Sequence, residues 1–181
     1  MKKVFIAFLL SGILLACNNS KTEADNTMVK DTTDTKPQQA EFADAKYSEM
    51  GKQMMQKFES GDIDSWADMF AENAVYQWSA GDSVAGKNAI LDYWKKRRMS
   101  VIDSIHFSND IWLPIKVNQP QKGPDMPGNW LLSWYQVDVK YKTGKKLGFW
   151  VHTDYHFDAN DKVDRAIQYI DMAPIKAATM K

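Results

Sequence analysis

Phe58-Glu59-Ser60-Gly61-Asp62-Ile63-Asp64 is the stretch from which the rest of the chain can be placed. Upstream of it, Ala43, Tyr47, Met50, Met54 and Phe58 recur at steps of four, three, four and four, which is one face of an amphipathic helix. Ser60-Gly61 ends that helix, because glycine takes the left-handed C-terminal position without a Cβ clash. Asp62 is suited to cap a second, short helix carrying Ile63, Trp66, Met69 and Phe70. Further on, Ala74 to Trp78 reads as a strand, and Gly86-Lys87 leads into a third helix with Ile90, Leu91 and Trp94 inward. From Ser104 the period changes to two: Ile105, Phe107 and Ile111 alternate with His106, Ser108 and Asp110. Trp130 to Tyr141 is a long strand, Gly144 turns the chain into Leu147 to Phe157, and Val163 to Ile170 is the last strand. Helices gathered ahead of antiparallel hairpins make the fold class α+β.

The chain has 181 residues, with 23 Lys and Arg balanced by 23 Asp and Glu. That balance speaks against a nucleic-acid partner, since binding to phosphates draws on a positive excess. A single Cys excludes a disulfide framework and a Cys-rich zinc site. Seven Trp, seven Tyr and eight Phe exclude a wholly disordered chain, because these side chains carry large buriable surfaces.

The N-terminus supplies an address. Met1-Lys2-Lys3 is a positive start, and Val4 to Leu15 is almost entirely apolar. The run is too short to span a bilayer and has the form of a secretory signal. It ends in Leu14-Leu15-Ala16-Cys17, which resembles the bacterial lipobox. The resemblance implies a signal peptide over 1–16, cleavage before Cys17 and acylation of Cys17, so that membrane lipid is the first partner. Asn18 in place of Asp implies sorting to the outer membrane, facing the periplasm or the exterior. Residues 17–40 hold no aromatic side chain and read as a tether. As a random coil it reaches about 25–30 Å. The folded domain is expected over 41–181.

Three phrases carry a wider resemblance. They are Phe58 to Asp64, then Ala71-Glu72-Asn73-Ala74-Val75-Tyr76, then Ala85-Gly86-Lys87-Asn88-Ala89-Ile90. With His152-Thr153-Asp154-Tyr155-His156-Phe157 and Lys162-Val163, they resemble the SnoaL-like branch of the nuclear transport factor 2-like superfamily. The resemblance covers nearly all of 41–174. It implies a cone of three N-terminal helices packed on a curved, mainly antiparallel sheet that encloses a pocket. The superfamily includes cyclases, isomerases, dehydratases and non-catalytic scaffolds, so fold does not decide function.

The richest polar stretch is His152, Asp154 and His156, which share one strand face with Trp150; Val151, Thr153, Tyr155 and Phe157 share the other. The eight-residue step from Asp154 to Lys162 resembles the cyclase pattern and places Asp154 inward; isomerase spacing counted from Phe157 places Thr153 there instead. A slip of one residue exchanges the faces. With Asp154 inward, aromatic surroundings would raise its pKa, and His152 would be its partner in acid–base work. Tyr155 and Phe157 would then face outward, where the resemblance implies pairing with a second copy of the chain. Tyr76, Trp78, Trp134, Trp150 and His156 are the candidate ligand-binding side chains, for a small hydrophobic molecule. The bland reading of Tyr76 and Trp78 is core packing, and that of Asp138, His106 and Asp110 is a solvated face. No metal is expected: His152 and His156 lie four residues apart on a strand, about 13 Å, too far to share one ion. No cofactor motif is present.

Lys95-Lys96-Arg97-Arg98 closes the third helix, where cations complement the helix dipole; contact with anionic lipid is the other reading. The Pro- and Gly-rich segment Asn118 to Asn129 is read either as a pocket lid or as a surface insertion. The functional expectation is a tethered pocket protein, with acid–base isomerase, cyclase or dehydratase activity if Asp154 faces the ligand. The alternative is a non-catalytic interaction module of the cell envelope.

Overall fold

A computed structural model describes residues 38–123 and 125–180. The expected signal peptide, Cys17 and most of the expected tether lie outside the described residues. The elements in chain order are β1 (Ala40–Phe42), α1 (Lys46–Ser60), α2 (Ile63–Ala67), β2 (Phe70–Trp78), β3 (Ser83–Ala85), α3 (Lys87–Ser100), β4 (Ile102–Val117), β5 (Gly128–Tyr141), β6 (Lys146–Phe157), β7 (Val163–Tyr169) and α4 (Met172–Thr179). The strands form one sheet in the order β1-β4-β5-β6-β7-β2-β3. Every pairing is antiparallel except β2 with β7. This is the α+β architecture expected from sequence. Two short strands and the C-terminal helix α4 come in addition, and β1 takes Ala40 from the expected tether.

The helix boundaries follow local chemistry. Gly61 has φ +87° and donates its N–H to Phe58 O, closing α1. Asp62 Oδ1 accepts from Ser65 N at 3.1 Å and caps α2. Asp171 caps α4 through Ala173 N at 2.9 Å. Tyr47, Met54 and Phe58 bury the face of α1 that its spacing predicted. Gly51 lets that helix lie close on the sheet: a Cβ here would stand 2.7 Å from Leu131 and even closer to the Trp112 ring.

Bulges bend the sheet. In β4 the register shifts between Ser108 and Ile111, with Asn109 at φ +53°. The shift inverts the alternation. Ile105 and Phe107 pack inward, whereas Ile111 pairs with Trp134 on the outer face and is 55% exposed. The expectation that Ile111 shares a face with Phe107 is corrected here, because an extra residue in one strand reverses every side chain after it.

The inner face of the sheet carries the main core. Leu131, Ser133, Tyr135, Val137, Val139 and Tyr141 of β5 are buried at alternate positions. On β6 the equivalent positions are Val151, Thr153, Tyr155 and Phe157. Aromatic rings fill the space beneath the helices: Phe58 meets Trp94 edge-on at 5.2 Å between centroids, and Tyr76 lies 5.1 Å from Trp78. Such tilted pairs add about 0.5–1.5 kcal/mol each beyond the area they bury.

Candidate binding site

A cavity of about 100 Å³ lies between the helices and the inner face of the sheet. Its walls are mostly aromatic and aliphatic. Trp66, Tyr76, Trp78 and Trp94 come from the helical side and β2, and Tyr135, Val151 and Tyr155 from the long strands. Met54, Met55 and Met172 also line it. Thioether chains re-pack at low cost, so they form the adaptable part of the wall.

One wall is polar and internally bonded. Trp78 Nε1 donates to Gln168 Oε1 at 3.2 Å, and Gln168 Nε2 reaches the Tyr135 hydroxyl at 3.5 Å. That hydroxyl lies 2.9 Å from Thr153 Oγ1. Gln168, buried near the end of β7, is thus held by partners on β2 and β5. The Tyr76 hydroxyl makes no hydrogen bond among the described residues, although the residue is 2% exposed. Burial pushes the Tyr76 and Tyr155 phenols well above their ordinary range. Burial also raises Tyr135, against the lowering effect of its bonds to Thr153 and Gln168. All three therefore stay protonated near neutral pH and offer O–H groups. Among the described residues lining the cavity there is no carboxylate, imidazole, thiol or amine; apart from tyrosines, Arg97 is the one ionisable group.

Asp154 and His152 are not in this cavity. They project from the opposite face of β6, so the expectation of an inward Asp154 is corrected. The physical reason is pairing. Odd-numbered residues of β6 face odd-numbered residues of β5, and the odd face of β5 is the apolar one. Burying Val151, Tyr155 and Phe157 prevails over burying Trp150, His152 and Asp154. The isomerase spacing, which points to Thr153, is the one the structure follows, and threonine is no acid. Trp134, Trp150 and His156 also lie on the outer face. Of the candidate ligand contacts, Tyr76 and Trp78 line the cavity.

The outer-face residues form a cluster of their own. The His152 ring is stacked between Trp134 at 4.4 Å and Tyr169 at 5.2 Å. Its Nδ1 lies 2.9 Å from Ser133 O, a carbonyl that can only accept, so Nδ1 carries a proton. Its Nε2 is 3.0 Å from Asp154 Oδ1, but off line, leaving that buried oxygen without a hydrogen bond. Burial raises the Asp154 pKa, and the His152 charge opposes the shift. The backbone thus engages one imidazole nitrogen, and the ring lies on the face of β6 away from the cavity. His156 is a structural tie: Nδ1 meets Asp164 Oδ1 at 2.5 Å and Nε2 meets Pro127 O at 3.1 Å. The second contact pins the segment between β4 and β5, none of whose described residues lines the cavity; this favours the surface-insertion reading over the lid. Among the described residues no three His, Cys, Asp or Glu side chains converge on a cation site.

The profile of the SnoaL-like domain matches residues 52–166, which include most of the helices and sheet around the cavity. The chain belongs to the SnoaL-like family. Solved structures share its fold at low identity. A Bacillus subtilis protein provisionally named an isomerase is 20% identical, over 72% of this chain and 90% of its own, with a TM-score of 0.56. A Xanthomonas campestris protein provisionally named a polyketide cyclase is 13% identical, over 74% and 96%, with a TM-score of 0.58. An epoxide hydrolase of Mycobacterium tuberculosis, of the LEH-like type, is 11% identical, over 72% and 86%, with a TM-score of 0.51. No curated protein matches. This SnoaL-like chain has the fold of those proteins.

Sequence reasoning missed Tyr135, Gln168 and Arg97 as cavity residues. The first was legible in the alternation of β5. Gln168 was legible as a lone amide among Ala166, Ile167 and Ile170 in the last strand.

Proposed function

We propose that this SnoaL-like protein binds a small, largely apolar molecule in its aromatic cavity, as a carrier or sensor. The observation that carries this reading is the composition of the cavity wall: apolar surface, hydroxyl and amide groups, the guanidinium of Arg97 and, among the described residues, no carboxylate, imidazole, thiol or amine. A site of that kind orients a ligand without the acid–base pair that an isomerisation or cyclisation calls on. Lipid attachment at Cys17 and outer-membrane placement are part of the proposal, supported by the lipobox-like run and Asn18. Intrinsic tryptophan fluorescence tests the binding, since Trp66, Trp78 and Trp94 line the cavity. Titration with small apolar alcohols should change the emission and raise the melting temperature, as any ligand of the native state must. Tyr76→Phe should weaken ligands that carry an acceptor, and Asp154→Asn should leave binding unchanged. Loss of binding in Asp154→Asn with the fold intact would return the outer cluster to the centre of the account.

A second reading, an interaction surface, is favoured by the outer sheet face, where Ile111, Trp150 and Tyr169 are 55%, 54% and 40% exposed. Trp150→Ala should then dissociate a complex of the native protein, seen as a change of mass in light scattering. An unchanged mass argues against it.

A further inference from the structure

Arg97 is the one permanent charge among the described residues lining the cavity. It sits near the end of α3, half-buried, with its guanidinium 5.8 Å from the centre of the Tyr93 ring. Burial raises the phenol of Tyr141, another lining residue, and the Arg97 charge opposes that rise. The cluster lies where three elements meet: Lys142 N donates to Val101 O beyond α3, and Thr143 Oγ1 donates to Ala178 O of α4.

Some neighbouring cations have partners, although Lys96 has no ion pair among the described residues and the Arg98 Nε is buried without an acceptor. Lys95 pairs with Asp64 at 2.8 Å and Lys140 with Asp103 at 2.6 Å, while Arg98 donates to Glu59 O. Arg97 has no ion pair among the described residues. A half-buried guanidinium at the edge of apolar walls keeps water on its open side and can add a charge-assisted, bidentate pair to an anion that enters the cavity. The remaining polar groups lean the same way. The Trp94 indole N–H is buried without an acceptor, and the Tyr76 hydroxyl is uncommitted among the described residues.

We infer that the ligand is an amphipathic monoanion: a short apolar body filling the aromatic cavity, with a carboxylate paired to Arg97. One planar guanidinium matches one carboxylate in charge and in bidentate geometry. A dianionic phosphate would leave a charge unmatched. The inference rests on the cavity-binding reading and names its ligand class. Met54, Met55 and Met172 line the cavity and can re-pack around a larger ligand.

The test compares hexanoate with hexan-1-ol on the full chain, read by tryptophan fluorescence and calorimetry, in wild type, Arg97→Gln and Arg97→Lys. Wild type should bind hexanoate about ten-fold or more tighter than hexan-1-ol, the usual worth of a charged hydrogen-bonded pair. Arg97→Gln should erase that preference and leave hexan-1-ol within two-fold. Arg97→Lys should keep part of it, which shows that charge and not folding is being read. Equal binding of the two probes by wild type overturns the anion inference and leaves the cavity reading standing. A preference that survives in Arg97→Gln overturns the role of Arg97. Binding of neither probe defeats the cavity reading and the inference with it.

Discussion

Val151→Phe is the substitution that asks most directly whether the interior is hollow. Val151 is 3% exposed, lies on the inner face of β6 and lines the cavity. The larger side chain adds about 50 Å³, roughly half of the available space, and filling a void returns about 24 cal/mol per Å³. The gain is then at most about 1.2 kcal/mol, reduced by whatever rotamer strain the ring takes on. For a domain of this size that is a rise in melting temperature of about 0–5 °C. A solidly packed site would respond in the opposite direction, because overpacking costs about 1–3 kcal/mol. The assay is a pair of measurements: urea or thermal unfolding, and titration with hexan-1-ol. Stability should hold or rise while affinity falls at least ten-fold. Trp150→Phe, on the outer face of the same strand, is the control and should change neither. A marked loss of stability in Val151→Phe, or ligand binding that persists in it, would refute the reasoning.

Other predictions follow from particular contacts. Asp154 has a raised folded-state pKa, so it favours the native state at low pH; that contribution is lost as pH rises from about 3.8 through the raised value. Asp154→Asn should therefore flatten the fall in urea midpoint above pH 4; an unchanged profile contradicts the assignment. His156→Leu should cost about 2–4 kcal/mol, because it strands Asp164 and frees Pro127 O, and chemical denaturation measures it. Gly51→Ala gains about 1 kcal/mol of helix propensity but drives a methyl into Trp112 and Leu131, for a net loss of about 0–2 kcal/mol, visible as a lower melting temperature. Cys17→Ser should release the protein from membranes and abolish incorporation of labelled fatty acid.

Much of the architecture was legible before the structure. The α1 face, Gly61 and Asp62 follow from spacing and capping rules that act within one turn of chain. The strands of the meander follow from period two. What escaped was coupled to distance. Ala40–Phe42 and Ser83–Ala85 are too short to show a period and exist only because longer strands offer them an edge. The bulge at Asn109 changed the facing of Ile111 through one extra residue. Asp154 was misplaced because the polar residues of β6 were weighed alone. Tyr135, Val137 and Val139 mark the inner face of β5, and the Gly144 hairpin joins it to β6, so the register carries that face across to Val151 and Tyr155. Arg97 was legible as a helix-ending cation, but only the meeting of α3, β5 and α4 shows that it borders the cavity.

The most direct measurement of the central claim is NMR of 13C-methyl methionine during titration with hexan-1-ol. Met54, Met55 and Met172 line the cavity, whereas Met99 and Met180 are 63% and 69% exposed elsewhere. The account predicts saturable shifts for the first three signals and none for the last two. Shifts confined to Met99 or Met180, or no shifts at all, would contradict it.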